Sequence, residues 1–516
     1  MSYNSNQCNI DFDREIDNFR NGLRSRIVKI GGLSDSILLD RLSQRVVEIG
    51  RYPYAYITSL KYNGKTNSSI SDNLKLDFDK AWFELGSGKV SFNFVQYLRN
   101  QFDFLFHWLF CLVLIIRSIF DKKKSKSATL IFGVGEESLL LDNTDARFIE
   151  YCSLSPILPL RNGGRFLIQS IATKGIVSND RFSYSKNPFI TLFRESKFGF
   201  YGRLSLLTKH VILLLQYLYA SLWFPELILI GKDLAYLPLV SALDTSNKIE
   251  SLILTCSFFN VQSLWMRILK NSKVHMIWYA QNWQPIVYSK DSLRSNISFL
   301  RWIRVDHHWV WTKSFGEYLK YLIDDTEVTD VGPIVWYLPS ESPNVQTDKI
   351  TISIFDVSPY SDSIALKACE FPNYNSPENL LNFVRTIVSL KDSLEKKFGI
   401  PVNFKLKTKR GFRATYDRAY FDYIEALDRD GILSLEYHQK NIYELIANSS
   451  MVVVYPFSSP AYVAEFLKIA AVYFDPTGSI VRWDFSDTTY VKFVNSAEGL
   501  FENISTELES AAARKF

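Results

Sequence analysis

The chain has 516 residues, of which 47% are hydrophobic and 22% charged, so its composition is that of a globular protein and not of a disordered one. With 59 basic and 54 acidic side chains, the net charge of +5 is too small to indicate a nucleic-acid-binding protein. The length suffices for two or three domains. Five scattered cysteines without a CxxC spacing favour reduced thiols over disulfides or metal ligands.

Residues 1–127 are predicted to form a helical N-terminal region, and its opening is too polar for a secretory signal. We therefore expect a cytoplasmic protein. Residues 102–120 are mostly apolar and are followed by the basic run DKKKSKS. A helix over 102–126 that lies on the inner face of the cytoplasmic membrane is the favoured interpretation, because its lysines suit anionic headgroups. A buried core helix and a true membrane span are the alternatives.

From residue 128 onward, short apolar runs alternate with helical stretches, which predicts a parallel sheet covered on both faces. The predicted strands are 128–135, 165–172, 226–231, 250–259, 274–283 and 308–312. The stretch 210–231 is typical of a core helix that runs into one of these strands, and Pro225 breaks the apolar run. These elements predict a first Rossmann-like domain over 128–335.

A segment rich in proline, serine and aspartate breaks this pattern, and we interpret 336–348 as a linker. A second alternation follows over 349–516, with strands predicted at 349–357, 402–410, 432–437, 451–457 and 470–476. The predicted fold class is therefore α/β, with two Rossmann-like parallel-sheet domains that face a cleft and an extra helical N-terminal region. This architecture is called GT-B.

The stretch YPFSSPAY at 455–462 leaves an apolar strand and enters a helix at once. Ligands of open parallel sheets bind beyond the carboxyl ends of the strands, where helices begin. Ser458 and Ser459 lie at such a junction, where free backbone N–H groups of the helix would attract a phosphate or a carboxylate. Capping of the helix by either hydroxyl is the alternative.

The predicted strand VNFKLKTKR places alternating lysines on one face, with Lys407 and Lys409 near its carboxyl end and Arg410 just beyond. Such cations suit a diphosphate, or a phosphate together with a sugar carboxylate, whereas a solvated strand face is the alternative. Asp356 ends the first strand of this domain and could orient a ribose or close a turn. His438 follows another strand and is a candidate nucleobase contact or else a surface histidine.

The segment YPFSSPAYVAEFLKIAAVYFDPTG resembles the signature of bacterial polysaccharide-biosynthesis proteins named for a Pro-Phe-Thr-Ser motif, with Ser458 in place of the threonine. The likeness continues, in chain order, through FGVGEESLLLD, RFIEYCSLSPILPL, YAQNWQPI, VGPI, FDVSP and FKLKTKR, and covers roughly 128–480. The resemblance implies a GT-B glycosyltransferase of O-antigen or capsule assembly. More distantly, the family resembles transferases that use CMP-activated ulosonic acids.

A general base or nucleophile is expected across the cleft, in the first domain. Glu136 and Glu137 follow the first strand beside two glycines and could deprotonate an acceptor hydroxyl or attack the anomeric carbon. Stabilisation of a helix N-terminus is the alternative role for these carboxylates. Gln281 and Asn282 beside Trp283 suit a hydroxyl-rich acceptor, although a turn with a packed tryptophan fits equally well.

No DxD-type metal motif is prominent, and Asp306-His307-His308 precedes a tryptophan-rich strand, which favours structural histidines over metal ligands. We therefore expect no metal and no cofactor, with a nucleotide sugar as substrate. The sequence and the resemblance together predict sugar transfer from a nucleotide-sugar donor in the second domain to a surface-polysaccharide or lipid-linked acceptor in the first. A nucleotide-sugar epimerase of the same shape and a non-catalytic scaffold of polysaccharide assembly are the alternatives.

Overall fold

The computed structural model of the protein describes residues 16–27, 29–62, 75–77, 82–84, 89–91, 94–118, 127–133, 147–160, 164–169, 181–255, 262–278, 301–323, 326–334, 349–361, 376–438, 440–478 and 488–513. The predicted linker at 336–348 and the basic end of the predicted membrane helix, 119–126, lie outside these residues. Within the described residues, two large parallel sheets carry the architecture.

A small antiparallel sheet precedes the two large ones. Its strands are β1 Lys75–Asp77, β2 Trp82–Glu84 and β3 Lys89–Ser91, paired in the order β1-β2-β3. The sequence did not predict these strands, because each has only three residues and shows too little alternation to be told from a loop.

The first large sheet consists of seven parallel strands. They are β4 Ala128–Phe132, β5 Arg165–Gln169, β6 Phe182–Ser185, β7 Ile249–Thr255, β8 Lys273–Ile277, β9 His307–Val310 and β10 Glu327–Asp330. Their order across the sheet is β10-β9-β8-β7-β4-β5-β6. All five residues of the central strand β4 are buried, as expected of a strand covered on both faces.

Helices cover this sheet and build the N-terminal region. After a helical segment at 16–24, they are α1 Asp35–Tyr62, α2 Phe94–Ser118, α3 Arg147–Leu154, α4 Pro188–Glu195, α5 Phe200–Trp223, α6 Gly231–Thr245 and α7 Lys313–Leu322. Two 3₁₀ helices, Pro225–Ile230 and Leu264–Arg267, lie between them. The predicted strand at 226–231 is wrong. Pro225 occupies the first position of a helical turn, where its fixed φ is favourable, and the apolar run that follows is buried as a 3₁₀ helix.

The N-terminal helices are fixed to the first domain by ion pairs that involve buried side chains of α1. Asp40 on α1 is 2% exposed, and its carboxylate accepts hydrogen bonds from Arg20 (2.6 Å) and Arg304 (2.7 Å). Arg41, also buried, donates to Asp233 on α6 and to Glu48, both at 2.7 Å. Since Asp233 and Arg304 are far from α1 in sequence, their pairs with Arg41 and Asp40 determine where α1 lies on the domain.

Helices α2 and α5 keep only one face in the core. By length and composition alone, Tyr97–Ser118 and Phe200–Trp223 could cross a membrane, a test that the core helix of a soluble protein also passes. In each helix, only 33% of the apolar stretch is buried. The expectation that the stretch from 210 is a core helix therefore holds for one side of α5, and its other side is exposed.

The second large sheet has six parallel strands. They are β11 Ile350–Phe355, β12 Val402–Lys407, β13 Ser434–Glu436, β14 Met451–Val454, β15 Ala471–Phe474 and β16 Val491–Val494, in the order β13-β12-β11-β14-β15-β16. Its helices are α8 Pro377–Ser389, α9 Lys391–Phe398, α10 Arg418–Arg429, α11 Ile442–Ala447, α12 Pro460–Leu467 and α13 Ala497–Ala513. Counted along the chain, the strand order is 3-2-1-4-5-6, the Rossmann order.

The first sheet repeats this order and adds β10 at its edge, so both large sheets are Rossmann-like. The predicted α/β class with two such domains is confirmed. One hydrophobic cluster contains residues of both sheets, including Ile131 of β4 and Val454 of β14. The Tyr443 hydroxyl also donates to the backbone carbonyl of Ile334, at 3.4 Å. The two domains are thus in direct contact on one side.

Candidate functional site

Each large sheet has one point, between a pair of neighbouring strands, from which the chain continues toward opposite edges of the sheet. In the second sheet this point lies between β11 and β14, since β12 and β13 lie on one side and β15 and β16 on the other. In the first sheet it lies between β4 and β7. Ligands of open parallel sheets bind beyond the strand ends at such points, which makes the residues after β11 and β14 the first candidates for a site.

Asp356 follows β11 directly and is buried. One carboxylate oxygen accepts from the backbone N–H of Lys409 and the other from the hydroxyl of Tyr420 on α10, both at 2.6 Å. Burial raises the pKa of Asp356 to about 6, although these hydrogen bonds and the charges of Lys407 and Lys409 oppose the rise. The carboxylate therefore fixes the loop after β12 and the helix α10 against β11. Its predicted ribose contact stays a prediction.

Lys407 is the last residue of β12 and is also buried. Its ammonium donates to the backbone carbonyl of His438 in the loop after β13, at 2.8 Å. Burial lowers the pKa of Lys407 to about 8, an effect that the nearby charge of Arg410 reinforces and that of Asp356 opposes. The side chain thus joins two strand ends, and its charge lies close to two further charged groups.

The predicted stripe of lysines divides into different roles. Strand β12 ends at Lys407, so Lys409 lies in the following loop and does not share a strand face with Lys407. Lys405 is half-buried and lies 3.9 Å from the carboxylate of Glu436, which also accepts from Lys440 at 2.8 Å. Lys409 is exposed and Arg410 half-buried in the loop beyond the strand. These two side chains are therefore the cations best placed to meet an anion from solvent.

His438 lies where two loops approach closely. It is half-buried, and its ring contacts that of Tyr437, with 4.6 Å between the centroids. A Cβ atom on Gly411, in the loop after β12, would lie 2.9 Å from Cε1 of the His438 ring. A side chain at position 411 would therefore have to push the His438 ring aside, although the ring is the far end of a flexible side chain. The predicted nucleobase contact of His438 remains untested.

The turn after β14 uses its two serines differently. Ser458 is buried, and its hydroxyl donates to the carbonyl of Tyr455 at 3.1 Å, while its own carbonyl accepts from the Tyr473 hydroxyl at 2.8 Å. Ser459 is the N-cap residue of α12, with Pro460 following, yet its side chain makes no capping hydrogen bond to the helix. The capping alternative is therefore wrong for Ser459. Its half-buried hydroxyl lies at a helix N-terminus, the positive end of the helix dipole.

Asp475, which follows β15, and the histidine pair His307-His308 have structural partners. Asp475 is fully buried and closes a turn by accepting from the N–H and the hydroxyl of Thr477. Nδ1 of His308 accepts from the indole N–H of Trp278 at 3.1 Å, and burial lowers the pKa of His308 to about 3. His307 stacks on Trp309 with 4.1 Å between the ring centroids. Within the described part of the chain, no group of acidic, cysteine and histidine side chains could hold a metal ion.

A cavity of about 330 Å³ lies at the carboxyl end of the first sheet. Phe132, Gln169 and Leu254, from the ends of β4, β5 and β7, form part of its wall. Phe189 contacts Trp265 and Tyr236, with ring centroids 5.0 and 5.1 Å apart, so one side of the cavity is aromatic. The polar part of the lining includes side chains at two helix starts, Asn187 before α4 and Lys232 in α6. Such a mixture suits a polar ligand with an apolar face.

Four of the predicted site residues lie outside the described residues: Glu136, Glu137, Gln281 and Asn282. The strands that precede them, β4 and β8, belong to the first sheet. The predicted residues that the structure does describe in the second sheet, namely Asp356, Lys407, Lys409, Arg410, His438, Ser458 and Ser459, all follow or end the neighbouring strands β11 to β14.

Sequence reasoning missed two parts of this arrangement. Tyr420 has the spacing of a buried position on α10, and nothing in that pattern distinguishes a core tyrosine from one that donates to a carboxylate 64 residues away. The aromatic wall formed by Trp265 and Tyr236 was also missed, because these side chains come from separate helices that only the tertiary structure brings together.

Comparison with known proteins identifies one family. The profile described as "Polysaccharide biosynthesis PFTS motif protein" matches residues 214–503, more than half of the chain. The match includes the whole second sheet and the turn with Ser458 and Ser459. No curated relative matches the chain.

Several solved structures show a distant likeness. UDP-GlcNAc 2-epimerase from Methanocaldococcus jannaschii, solved with UDP-GlcNAc and UDP, is 10% identical with a TM-score of 0.40, over 74% of this chain and 92% of that one. The wall teichoic acid polymerase TagF, soaked with CDPG, is 12% identical with a TM-score of 0.36, over 81% and 90%. A glycosyltransferase from Rickettsia africae is 11% identical with a TM-score of 0.35, over 75% and 89%. These likenesses are too distant to bear on activity.

Proposed function

The chain belongs to the family of polysaccharide biosynthesis PFTS motif proteins, and on that premise we propose that it is a glycosyltransferase that moves a sugar from a nucleotide-sugar donor to a growing surface polysaccharide or a lipid-linked acceptor. The observation that carries the proposal is that the charged groups at the ends of β11 and β12 lie beside the serine turn after β14 in the second sheet. O-antigen or capsule assembly is the process in which we expect it to act.

The donor would bind at the second sheet. Lys409 and Arg410 would hold the phosphates, because arginine can grip a phosphate through two hydrogen bonds and lysine supplies a point charge. The Ser459 hydroxyl and the start of α12 would meet the same anion. Asp356 and Lys407 would position these loops through their bonds to Lys409 and His438. Cations fixed near the leaving phosphate would stabilise its developing charge.

The acceptor would bind at the first sheet, across from the donor. The cavity beside Trp265 and Tyr236 has the size and the mixed lining that a sugar requires, and it lies where ligands of such sheets are found. Gln281 and Asn282 remain proposed contacts of the acceptor. Holding both substrates in one orientation would supply much of the rate enhancement.

Glu136 and Glu137 remain the proposed base or nucleophile. In the sequence they come four and five residues after Phe132, the last residue of β4, and a carboxylate in this segment could take the proton of an acceptor hydroxyl. Transfer is expected to need no cofactor and to continue in the presence of a metal chelator.

We further propose that the protein acts as a peripheral protein on the cytoplasmic side of the membrane. The exposed apolar side chains of α2 support this location, and a lipid-linked acceptor would be met there. A CMP-activated ulosonic acid is the proposed donor, because the cations would accommodate both a phosphate and the sugar carboxylate.

The test is a thermal-shift series with CMP-, CDP-, UDP- and GDP-sugars, followed by product analysis with an oligosaccharide acceptor. A ligand present at 100 times its dissociation constant stabilises the folded state by about 2.7 kcal/mol, which gives a measurable rise in melting temperature. We expect one cytidine nucleotide sugar to give this rise, and Glu136→Gln to bind it as tightly while losing transfer. A preference for UDP or GDP would exclude the ulosonic-acid donor.

The two alternatives give different results in the same series. An epimerase would change the sugar of its nucleotide without an acceptor, and a scaffold would show no shift with any donor. Either result would overturn the proposed transfer.

A further inference from the structure

Helices α2 and α5 carry most of the exposed apolar surface in the described part of the protein. Eight large apolar side chains are exposed on α2 and ten on α5, against seven elsewhere in the described residues. On α2 they include Phe102 and Phe106, each 66% exposed, and on α5 Leu215 at 62% and Trp223 at 69%. Large patches of this kind on a protein surface indicate a partner.

The opposite faces of the two helices are locked into the fold and to each other. Phe104 stacks on Tyr217, with 3.6 Å between the ring centroids, and Trp108 stacks on His210 at 4.8 Å. The Trp108 indole donates to the His210 carbonyl, and Nε2 of His210 donates to the Trp108 carbonyl, both at 2.9 Å. A Cβ atom on Gly231 would lie 2.9 Å from the Tyr217 hydroxyl. Neither helix can leave this packing without exposing buried aromatic rings.

The charges on these helices are mainly positive. Arg99, Arg117 and Lys209 are exposed, whereas Asp103 is the only acidic residue of the two helices and lies 3.6 Å from the imidazole of His107. The basic run 122–126 follows α2 in the sequence. An apolar face with basic side chains near it complements a surface that is apolar inside and anionic outside.

We propose that α2 and α5 together form a membrane-docking face, on which the protein lies with both helix axes in the plane of an anionic lipid leaflet. The exposed apolar side chains extend along the whole length of both helices, about 36 Å at 1.5 Å per residue, so no single end is directed into the bilayer. The face buries its apolar side chains at the headgroup boundary and does not cross the membrane.

A bilayer fits this face better than a protein partner does. A stable protein interface carries about one hydrogen bond per 100–200 Å², and the outermost row of α2, from Phe102 through Phe106 and Leu109 to Val113, offers apolar groups only. Aromatic side chains at the helix ends, such as Phe94 and Trp223, suit the lipid–water boundary.

This inference deepens the proposed function by assigning α5, and not the 102–126 helix alone, to the membrane contact. It also gives the location of the proposed acceptor. Tyr236 in the wall of the first-sheet cavity hydrogen-bonds to Nδ1 of His107 on α2, at 2.9 Å. A lipid-linked acceptor would therefore enter the cavity close to the leaflet.

The experiment is flotation of the full chain with preformed vesicles of phosphatidylcholine alone and of phosphatidylcholine with phosphatidylglycerol. We expect the wild type to float with the mixed vesicles, and Phe106→Asp combined with Leu215→Asp to reduce the bound fraction by about tenfold or more, because an aspartate on the apolar face opposes burial in lipid. Tyr321→Asp is the matched control, since Tyr321 is 49% exposed on α7, and it should float as the wild type does. Unchanged melting temperatures show that the variants fold.

Three outcomes overturn the docking face. The wild type and the double variant could float equally, or the wild type could stay unbound to every preformed vesicle and be recovered only with detergent, as a spanning protein would. The wild type could instead be a dimer in solution that the double variant converts to a monomer, with vesicle binding unaffected. Flotation needs no sugar transfer, so loss of docking and loss of the proposed activity are separated by the nucleotide-sugar thermal-shift series.

Discussion

The two large sheets share one strand order but differ in the groups that lie beyond their strand ends. At the second sheet the strand ends carry charged and hydrogen-bonded groups, with Asp356, Lys407 and Arg410 close together. At the first sheet the corresponding point has a cavity with an aromatic wall, and helices α2 and α5 present an apolar surface to solvent. The backbone arrangement thus sets where a ligand can bind, and the side chains at each strand end decide which chemistry is possible.

The largest effect is expected from Asp40→Ala, which tests whether the first domain depends on its N-terminal helices. The change leaves Arg20 and Arg304 without their shared carboxylate and removes a charge that favours the buried Arg267, so unfolding should become easier by about 3–5 kcal/mol. Urea denaturation measures this, with Glu317→Ala as the exposed control, expected within about 0.5 kcal/mol of wild type. A loss below about 1 kcal/mol would show that α1 is held by other contacts.

The next prediction compares the charged strand ends of the second sheet with the cavity of the first sheet. Lys409→Ala combined with Arg410→Ala should weaken nucleotide binding by about 100-fold or more, because each charge-assisted hydrogen bond contributes about 1.5–3 kcal/mol net. Calorimetry with the nucleotide that gives the largest thermal shift measures the affinity. Lys405→Ala, whose charge is already paired with Glu436, should change it less than about threefold. Lys232→Ala in the first-sheet cavity should leave nucleotide affinity unchanged and raise the KM for the acceptor.

Asp356→Asn tests the raised pKa of the buried carboxylate through the pH dependence of stability. Because the folded-state pKa is raised to about 6 from 3.8, the protonated form stabilises the fold fully below about pH 4, and this contribution is lost as pH rises through 6. The asparagine cannot ionise, so its stability relative to wild type should increase by about 1–3 kcal/mol between pH 4 and pH 7. Urea unfolding at both pH values measures the difference, and Asp422→Asn, exposed on α10, is the control for the loss of one carboxylate. A wild-type carboxylate that ionises near its ordinary pKa would give a flat difference.

The smallest effect separates the two serines of the turn after β14. Ser458→Ala should cost about 1 kcal/mol of stability, because its buried hydroxyl bonds the Tyr455 carbonyl. Ser459→Ala should leave stability within about 0.5 kcal/mol and lower nucleotide affinity about three- to tenfold, since its hydroxyl caps no helix N–H. Melting curves and calorimetry on both variants check this. Equal effects on stability and binding would contradict the division of roles.

Much of the architecture could be predicted because buried parallel strands appear in the sequence as continuous apolar runs. The apolar runs predicted β11 and β14 almost completely, but they placed the carboxyl ends of both strands a few residues too late. The edge strands β6, β10 and β16 were missed, since they are short and only partly apolar. The apolar run at 226–231 was misassigned, because a buried 3₁₀ helix and a buried strand have the same composition.

The candidate site could be predicted less completely. That Asp356 and Ser458 lie at strand ends follows from the alternation of strands and helices alone. Which groups they contact does not, since the Tyr420–Asp356 and Lys407–His438 bonds join residues distant in sequence. The second apolar helix was assigned to the core because a composition profile does not reveal which side of a helix meets solvent.

The contact between Gly411 and the His438 imidazole makes position 411 a means of reshaping the loops after β12 and β13 without altering any charge. A methyl group there would turn the imidazole aside, while the backbone carbonyl of the same histidine could still accept from Lys407. With the donor bound as proposed, relatives that differ at this position should differ first in which nucleobase they accept, and their affinity for the phosphates should stay the same.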